Sequence, residues 1–177
     1  MMVMILTLMV GALGVAALTM TGLENSMAGA MRMVEEGTDA AESCVGMGIK
    51  VIQQSIDNGT VPPTLIAPAG PVPAVNAVNL GQEINYISNS PDVAWGAGAA
   101  PNIVMNINNY TVNGDIDKQF VKLRAGSQST GQAATTDSFY RIDCQAVNAA
   151  TGTTSRVIAV YQCLKEGNGD TCTPRFL

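Results

Sequence analysis

The sequence predicts an α+β fold, a long N-terminal helix over about residues 1–57 packed on an antiparallel four-stranded sheet. Three observations carry this. Residues 1–23, MMVMILTLMVGALGVAALTMTGL, hold no charge and no proline. Residues 24–57 keep apolar side chains at helical spacing while charges take the other sides. From Asn102 onward the apolar period switches to two.

Residues 1–23 form the hydrophobic part of the helix. At about 1.5 Å per residue they reach roughly 34 Å, enough for a bilayer core of about 30 Å. They lack the basic leading region, short apolar core and small-residue cleavage site of a secretory signal. The first basic residue is Arg32, so the chain reads as a processed form whose short basic leader has been removed. Gly11, Gly14 and Gly22 each cost about 1 kcal/mol relative to alanine in a helix interior. The stretch between Gly11 and Gly22 is therefore the weakest part of the helix, and sequence leaves open whether it is melted there.

Residues 24–57 form the amphipathic half of the same helix, predicted to carry the sheet at 30–57. Met27, Met31, Val34, Ala41, Val45, Ile49, Ile52 and Ile56 fall along one side. Six acids against Arg32 and Lys50 place −4 of the chain's net charge of −5 on this segment. Asp57-Asn58-Gly59 is a stop signal, with glycine available for a left-handed cap.

Residues 58–101 are a Pro-rich connecting region holding seven of the eight prolines. Proline opposes regular helix and interior strand, while the Ala, Val and Leu content predicts packing against the domain. A short helix is expected near Gln82–Ser88, with Trp95 as an anchor. Residues 102–177 read as an antiparallel β-meander with a disulfide-closed C-terminal loop. Its strands are expected at Asn102–Asn108, Gln119–Ala125, Phe139–Val147 and Arg156–Leu164. Gly126–Thr136 is a flexible loop by composition, and Ala149–Thr154 closes a hairpin with Gly152 in the turn.

Cys44, Cys144, Cys163 and Cys172 are even in number, with no CxxC pair and no histidine anywhere in the chain. A zinc site would need all four thiolates without the usual close ligand pairs, so two disulfides are predicted. Cys44 lies near the apolar side of the helix. Cys144 shares a strand face with Tyr140, Ile142 and Ala146. The preferred pairing is Cys44 with Cys144 and Cys163 with Cys172, the second pinning the loop Lys165–Thr173; sequence leaves all three connectivities open.

The absence of histidine removes the usual general base, the commonest metal ligand and a histidine-ligated haem. No GxSxG nucleophile motif is present. The chain is therefore read as no enzyme, with no catalytic residue, metal or cofactor. Gly167-Asn168-Gly169-Asp170 lacks the spaced carboxylates of a calcium loop and reads as a turn. Asn58-Gly59-Thr60 and Asn109-Tyr110-Thr111 match the glycosylation sequon and are taken as chance matches. The acidic balance and missing basic patch exclude nucleic acid as a partner. Residues 1–85 contain no aromatic side chain, which excludes a stacked aromatic path along the helix.

The long helix, apolar then amphipathic, followed by a meander and a disulfide-closed end, resembles the type IV pilin family. Within residues 18–43, LTMTGLENSMAGAMRMVEEGTDAAES, the elements Leu23-Glu24, Met27-Ala28-Gly29, Met31-Arg32 and Ala40-Ala41-Glu42 are similar to the helix signature of PilX-type minor pilins. FYRIDCQAV at 139–147 and RVIAVYQ at 156–162 look like the closing hairpin of that family. The resemblance covers about half of the chain, and 58–125 carries no recognisable motif.

It implies a structural subunit of an extracellular type IV pilus-like filament, serving adhesion, motility or surface attachment. Before assembly the subunit would be anchored in the inner membrane. Its partners would be copies of itself, other pilins and the pilus assembly machinery. Filament-core packing would fall to Met1, Ile5, Leu8, Gly11, Ala12, Gly14, Ala16 and Leu18, the small residues allowing close helix approach. One departure is that pilins carry a glutamate near the start of the apolar segment, where this chain offers Ile5 and no acid before Glu24. The alternative reading is a single-span, membrane-anchored exported domain, or a minor pseudopilin priming assembly of a pilus or type II secretion system.

Overall fold

The computed structural model describes residues 2–85, 100–123, 136–165 and 172–175, with the backbone alone for Met2, Leu6, Leu8, Lys165 and 172–175. Outside the described residues lie Met1, Trp95, the end of the expected helix at 86–88, nearly all of the loop Gly126–Thr136 and the turn Gly167–Asp170. The chain divides into two compact units, Met1–Glu36 and Gly37–Leu177.

Helix α1 runs from Met2 to Asn58 without interruption, the stretch between Gly11 and Gly22 included. Its threonines add no unsatisfied polar group. The hydroxyls of Thr7, Thr19 and Thr21 each donate to carbonyls three and four residues back, as in Thr19 Oγ1 to Ala16 O at 2.9 Å. Such internal satisfaction is what an apolar surrounding requires of a polar side chain. The helix ends where Asp57-Asn58-Gly59 predicts, with Gly59 at φ +71°. Within the first unit the helix is exposed along nearly its whole described length. It is long and apolar enough to cross a membrane, and none of its most apolar window is buried.

The second unit is the α+β body. Its sheet has strands β1 (Ile103–Ile107), β2 (Tyr110–Leu123), β3 (Thr136–Val147), β4 (Thr154–Lys165) and β5 (Cys172–Arg175), all antiparallel and in sequence order. The helix lies against the sheet, as the sequence predicts. Two strand assignments need correction. β2 begins at Tyr110 rather than Gln119, joined to β1 by the tight turn Asn108-Asn109, where Asn108 takes φ +52°. Gly114, Asp115 and Asp117 hide the alternation of Tyr110, Val112 and Ile116 from a hydropathy reading. The sheet also gains a fifth strand, β5, where a closing loop was expected.

Residues 37–58 of α1 cover the sheet, running antiparallel to β3. Gly37 meets Ser155 and Tyr110, Cys44 meets Cys144, Gly48 meets Ile142, and Gln53 Nε2 donates to Tyr161 Oη at 2.9 Å. The buried line is Gly37, Ala40, Ala41, Cys44, Gly48, Val51, Ile52, Ser55 and Ile56. Val45 and Ile49, expected on the apolar stripe, sit half-buried at its flank. Glycine carries little hydropathy signal, so the stripe read from apolar residues is displaced around the helix.

In the described stretch 58–85, the connecting region packs against the body as expected. It contains a 3-10 turn at Pro63–Leu65 and helix α2 at Ala77–Asn85, which begins earlier than the expected Gln82. Ala77, Leu80, Gly81 and Ile84 give α2 its buried side.

Candidate functional site

The centre of the helix–sheet junction is the disulfide Cys44–Cys144, closing a loop of sequence separation 100 between two fully buried cysteines. This is the pairing preferred from sequence. Cys163 is also disulfide-bonded, while the side chain of its expected partner Cys172 lies outside the described residues. Gly114 of β2 makes room for the bridge. A Cβ there would stand 2.6 Å from Cys44 Sγ and 3.2 Å from Cys144 Sγ. The spacing of cysteines announces a bridge; the glycine opposite it carries no such signal.

A second polar joint fixes the C-terminal end of α2. The Ile84 carbonyl accepts from Lys118 Nζ and from Tyr140 Oη, each at 3.0 Å, and Glu83 Oε1 accepts from the Lys118 backbone N–H at 3.3 Å. The Lys118 ammonium also sits 5.7 Å from the Tyr140 ring centroid. A cation at a helix C-terminus is the sign that the helix dipole favours. Burial pushes the Tyr140 hydroxyl up to about 12, with Glu83 and Tyr161 adding to the rise and a hydrogen bond with Ser138 opposing it.

The sheet face turned away from α1 is held by two ion pairs. Asp143 accepts from Arg156 through both carboxylate oxygens, and Asp117 Oδ2 lies 2.6 Å from Arg141 Nη2. An irregularity between Lys118 and Phe120 brings Phe120 onto this face, where its ring stacks on Phe139 at 4.5 Å. Val160 and Ile158, also exposed on this face, stand opposite Arg141 and Asp143 in the register.

The largest apolar exposure belongs to α1. Ile5, Gly11, Ala12, Gly14, Ala16 and Leu18 are all exposed, and a Cβ added at Gly11 or Gly14 would meet nothing within 4 Å. The side chains of Met1 and Leu8 lie outside the described residues. Apolar exposure does not stop where charge begins: Met27 is 66 % exposed, Met31 73 % and Val34 53 %. These three follow Glu24 and share their stretch with the exposed pair Arg32–Glu36, whose Nε and Oε1 are 3.1 Å apart. Among the described residues there is no group of three or more Asp, Glu, Cys or His that could hold a metal ion.

Compared with known proteins, the chain matches no protein-family model, no curated protein and no solved structure.

Proposed function

We propose that this chain is a structural subunit of an extracellular type IV pilus-like filament, assembling through its N-terminal hydrophobic helix and residing in the inner membrane beforehand. The observation that carries the reading is the exposed apolar stripe Met27, Met31 and Val34 beyond the first charge. A lipid bilayer covers the uncharged run up to Leu23. It does not cover a stripe that shares its helix turns with Glu24, Arg32, Glu35 and Glu36, because charged groups in hydrocarbon cost several kcal/mol (about 2.5–3.5 each by insertion scales). Another protein surface of the same apolar character does, and copies of the same helix supply one. The small residues Gly11, Ala12, Gly14 and Ala16 let such helices approach closely. Copies of this chain, other pilins and the assembly machinery are the partners in this reading.

A plain single-span anchor for an exported domain is the second reading, favoured by the membrane-length helix alone. A minor pseudopilin that primes assembly shares the helix contacts of the first reading without supplying the bulk of the fibre. Sheared surface fibres from producing cells, imaged by electron microscopy and digested for mass spectrometry, separate the three. Peptides of this chain as a main fibre component support the filament subunit, and a trace amount supports the priming role. A chain confined to the membrane fraction and absent from fibres refutes both and leaves the anchor.

A further inference from the structure

Eight of the ten methionines fall within residues 1–33. Met27 and Met31 lie one helical turn apart on α1, past Glu24 and outside the uncharged run, and both are strongly exposed. Met47 and Met105, in the second unit, are half-buried. At 100° per residue, Leu23, Met27, Ala30, Met31 and Val34 occupy one arc of about 100°. Between Leu23 and Val34 no side chain within that arc carries a hydrogen-bond donor.

We propose that Met27 and Met31 are oxygen-acceptor sites through which a hydroperoxide oxidant controls self-association of the chain. The inference rests on the filament reading, in which this arc is buried against a second copy. In the step itself, the thioether sulfur attacks one oxygen of hydrogen peroxide. The S–O bond forms, the O–O bond breaks, and the departing hydroxide takes the proton from the transferred oxygen to leave as water. Sulfur gives up two electrons and becomes a sulfoxide, while the peroxide is reduced. The product turns a flexible apolar side chain into a strong hydrogen-bond acceptor. On this arc the acceptor finds no donor once it is covered, so burying it opposes association. In an unassembled subunit the two sulfurs face water beyond the bilayer core, whereas in an assembled one they are covered. The oxidant therefore acts on the unassembled pool, and sulfoxide reduction restores it.

The test uses the full chain in phosphatidylcholine vesicles, with donor- and acceptor-labelled copies reporting association by energy transfer. Samples are treated with hydrogen peroxide at high lipid dilution, where copies are apart, then concentrated to the density at which untreated copies associate, and sulfoxides are mapped by peptide mass spectrometry. Met27 and Met31 are expected to oxidise several-fold faster than Met105. Association should weaken roughly tenfold or more relative to the untreated sample and recover with methionine sulfoxide reductase. For the double variant Met27→Leu/Met31→Leu, the treated and untreated samples should associate alike. The proposal is overturned if Met27 and Met31 oxidise no faster than Met105, if the oxidised chain associates as tightly as before, or if the double variant loses as much on treatment. Absence of energy transfer in the untreated chain would overturn this inference alone; the filament reading falls separately, on a chain absent from sheared surface fibres.

Discussion

Replacing Gly114 with alanine probes the helix–sheet junction at its tightest point. The new methyl would stand 2.6 Å from Cys44 Sγ, 3.2 Å from Cys144 Sγ and 3.2 Å from Ile103 Cβ. Non-bonded heavy atoms prefer about 3.5–4.0 Å, so the overlap with the bridge approaches about 1 Å. The sulfurs cannot swing away, because α1 holds one cysteine and the middle strand β3 the other. Overpacking of this kind costs roughly 1–3 kcal/mol. If the bridge fails to close instead, the loss approaches the roughly 4–5 kcal/mol that closing a 100-residue loop contributes in the chain-entropy account. Either way Gly114→Ala destabilises the disulfide-bonded protein. In a Cys44→Ala/Cys144→Ala background the obstructing sulfurs are gone. There only the contact with Ile103 Cβ at 3.2 Å remains, offset by the entropic cost that a strand glycine carries, so the same substitution should cost clearly less than in the bridged protein. Denaturant midpoints of the four proteins, with free-thiol labelling to report bridge closure, give the cycle. A stabilising Gly114→Ala in the disulfide-bonded protein, or an equal cost in both backgrounds, would refute the steric argument.

Two glycines of α1 should respond with opposite sign. Gly48→Ala places a methyl 2.8 Å from Ile142 Cγ2 and should cost roughly 1–3 kcal/mol, whereas Gly46→Ala meets nothing within 4 Å and should gain up to about 1 kcal/mol by denaturant unfolding. Tyr140 ionises near 10 when unfolded and at about 12 when folded, so its contribution is intact below pH 10 and lost as pH rises toward 12. The slope is about 1.4 kcal/mol per pH unit, and unfolding titrations of Tyr140→Phe should lack that part of the alkaline decline. Ser55 is fully buried and its hydroxyl has no hydrogen-bond partner among the described residues, so Ser55→Ala should raise the unfolding free energy by about 1 kcal/mol, read from denaturant unfolding. A clear loss of stability instead would mean that the hydroxyl is satisfied.

The parts of the fold legible in sequence are those with a strong local signal. The uncharged run, the Asp57-Asn58-Gly59 stop and the alternation of Tyr140, Ile142, Cys144 and Ala146 each state their structure within a few residues. The face of α1 that meets the sheet was less legible, because Gly37 and Gly48 act through the space they leave and a hydropathy pattern records only what is present. The first half of β2 is hidden from a hydropathy reading for a related reason: Asp117 and Asp143 are buried on the sheet because Arg141 and Arg156 neutralise them from neighbouring positions. Those pairings exist only once the register is known. At the exposed helix, sequence supplied the residues, and the structure added that the apolar surface continues to Val34 in the company of charges.

The Cys44–Cys144 bridge also changes what the chain does under load. Tension applied to α1 ahead of Cys44 passes through the sulfurs directly into β3, the middle strand of the sheet. Everything between the two cysteines, including α2, β1 and β2, lies in a closed covalent ring that the bridge short-circuits. Stretched out, that ring would add roughly 330–360 Å of contour. While the bridge is intact this length is unavailable to a pulling force, so the chain cannot lengthen by it. Reduction alone would release the hidden length.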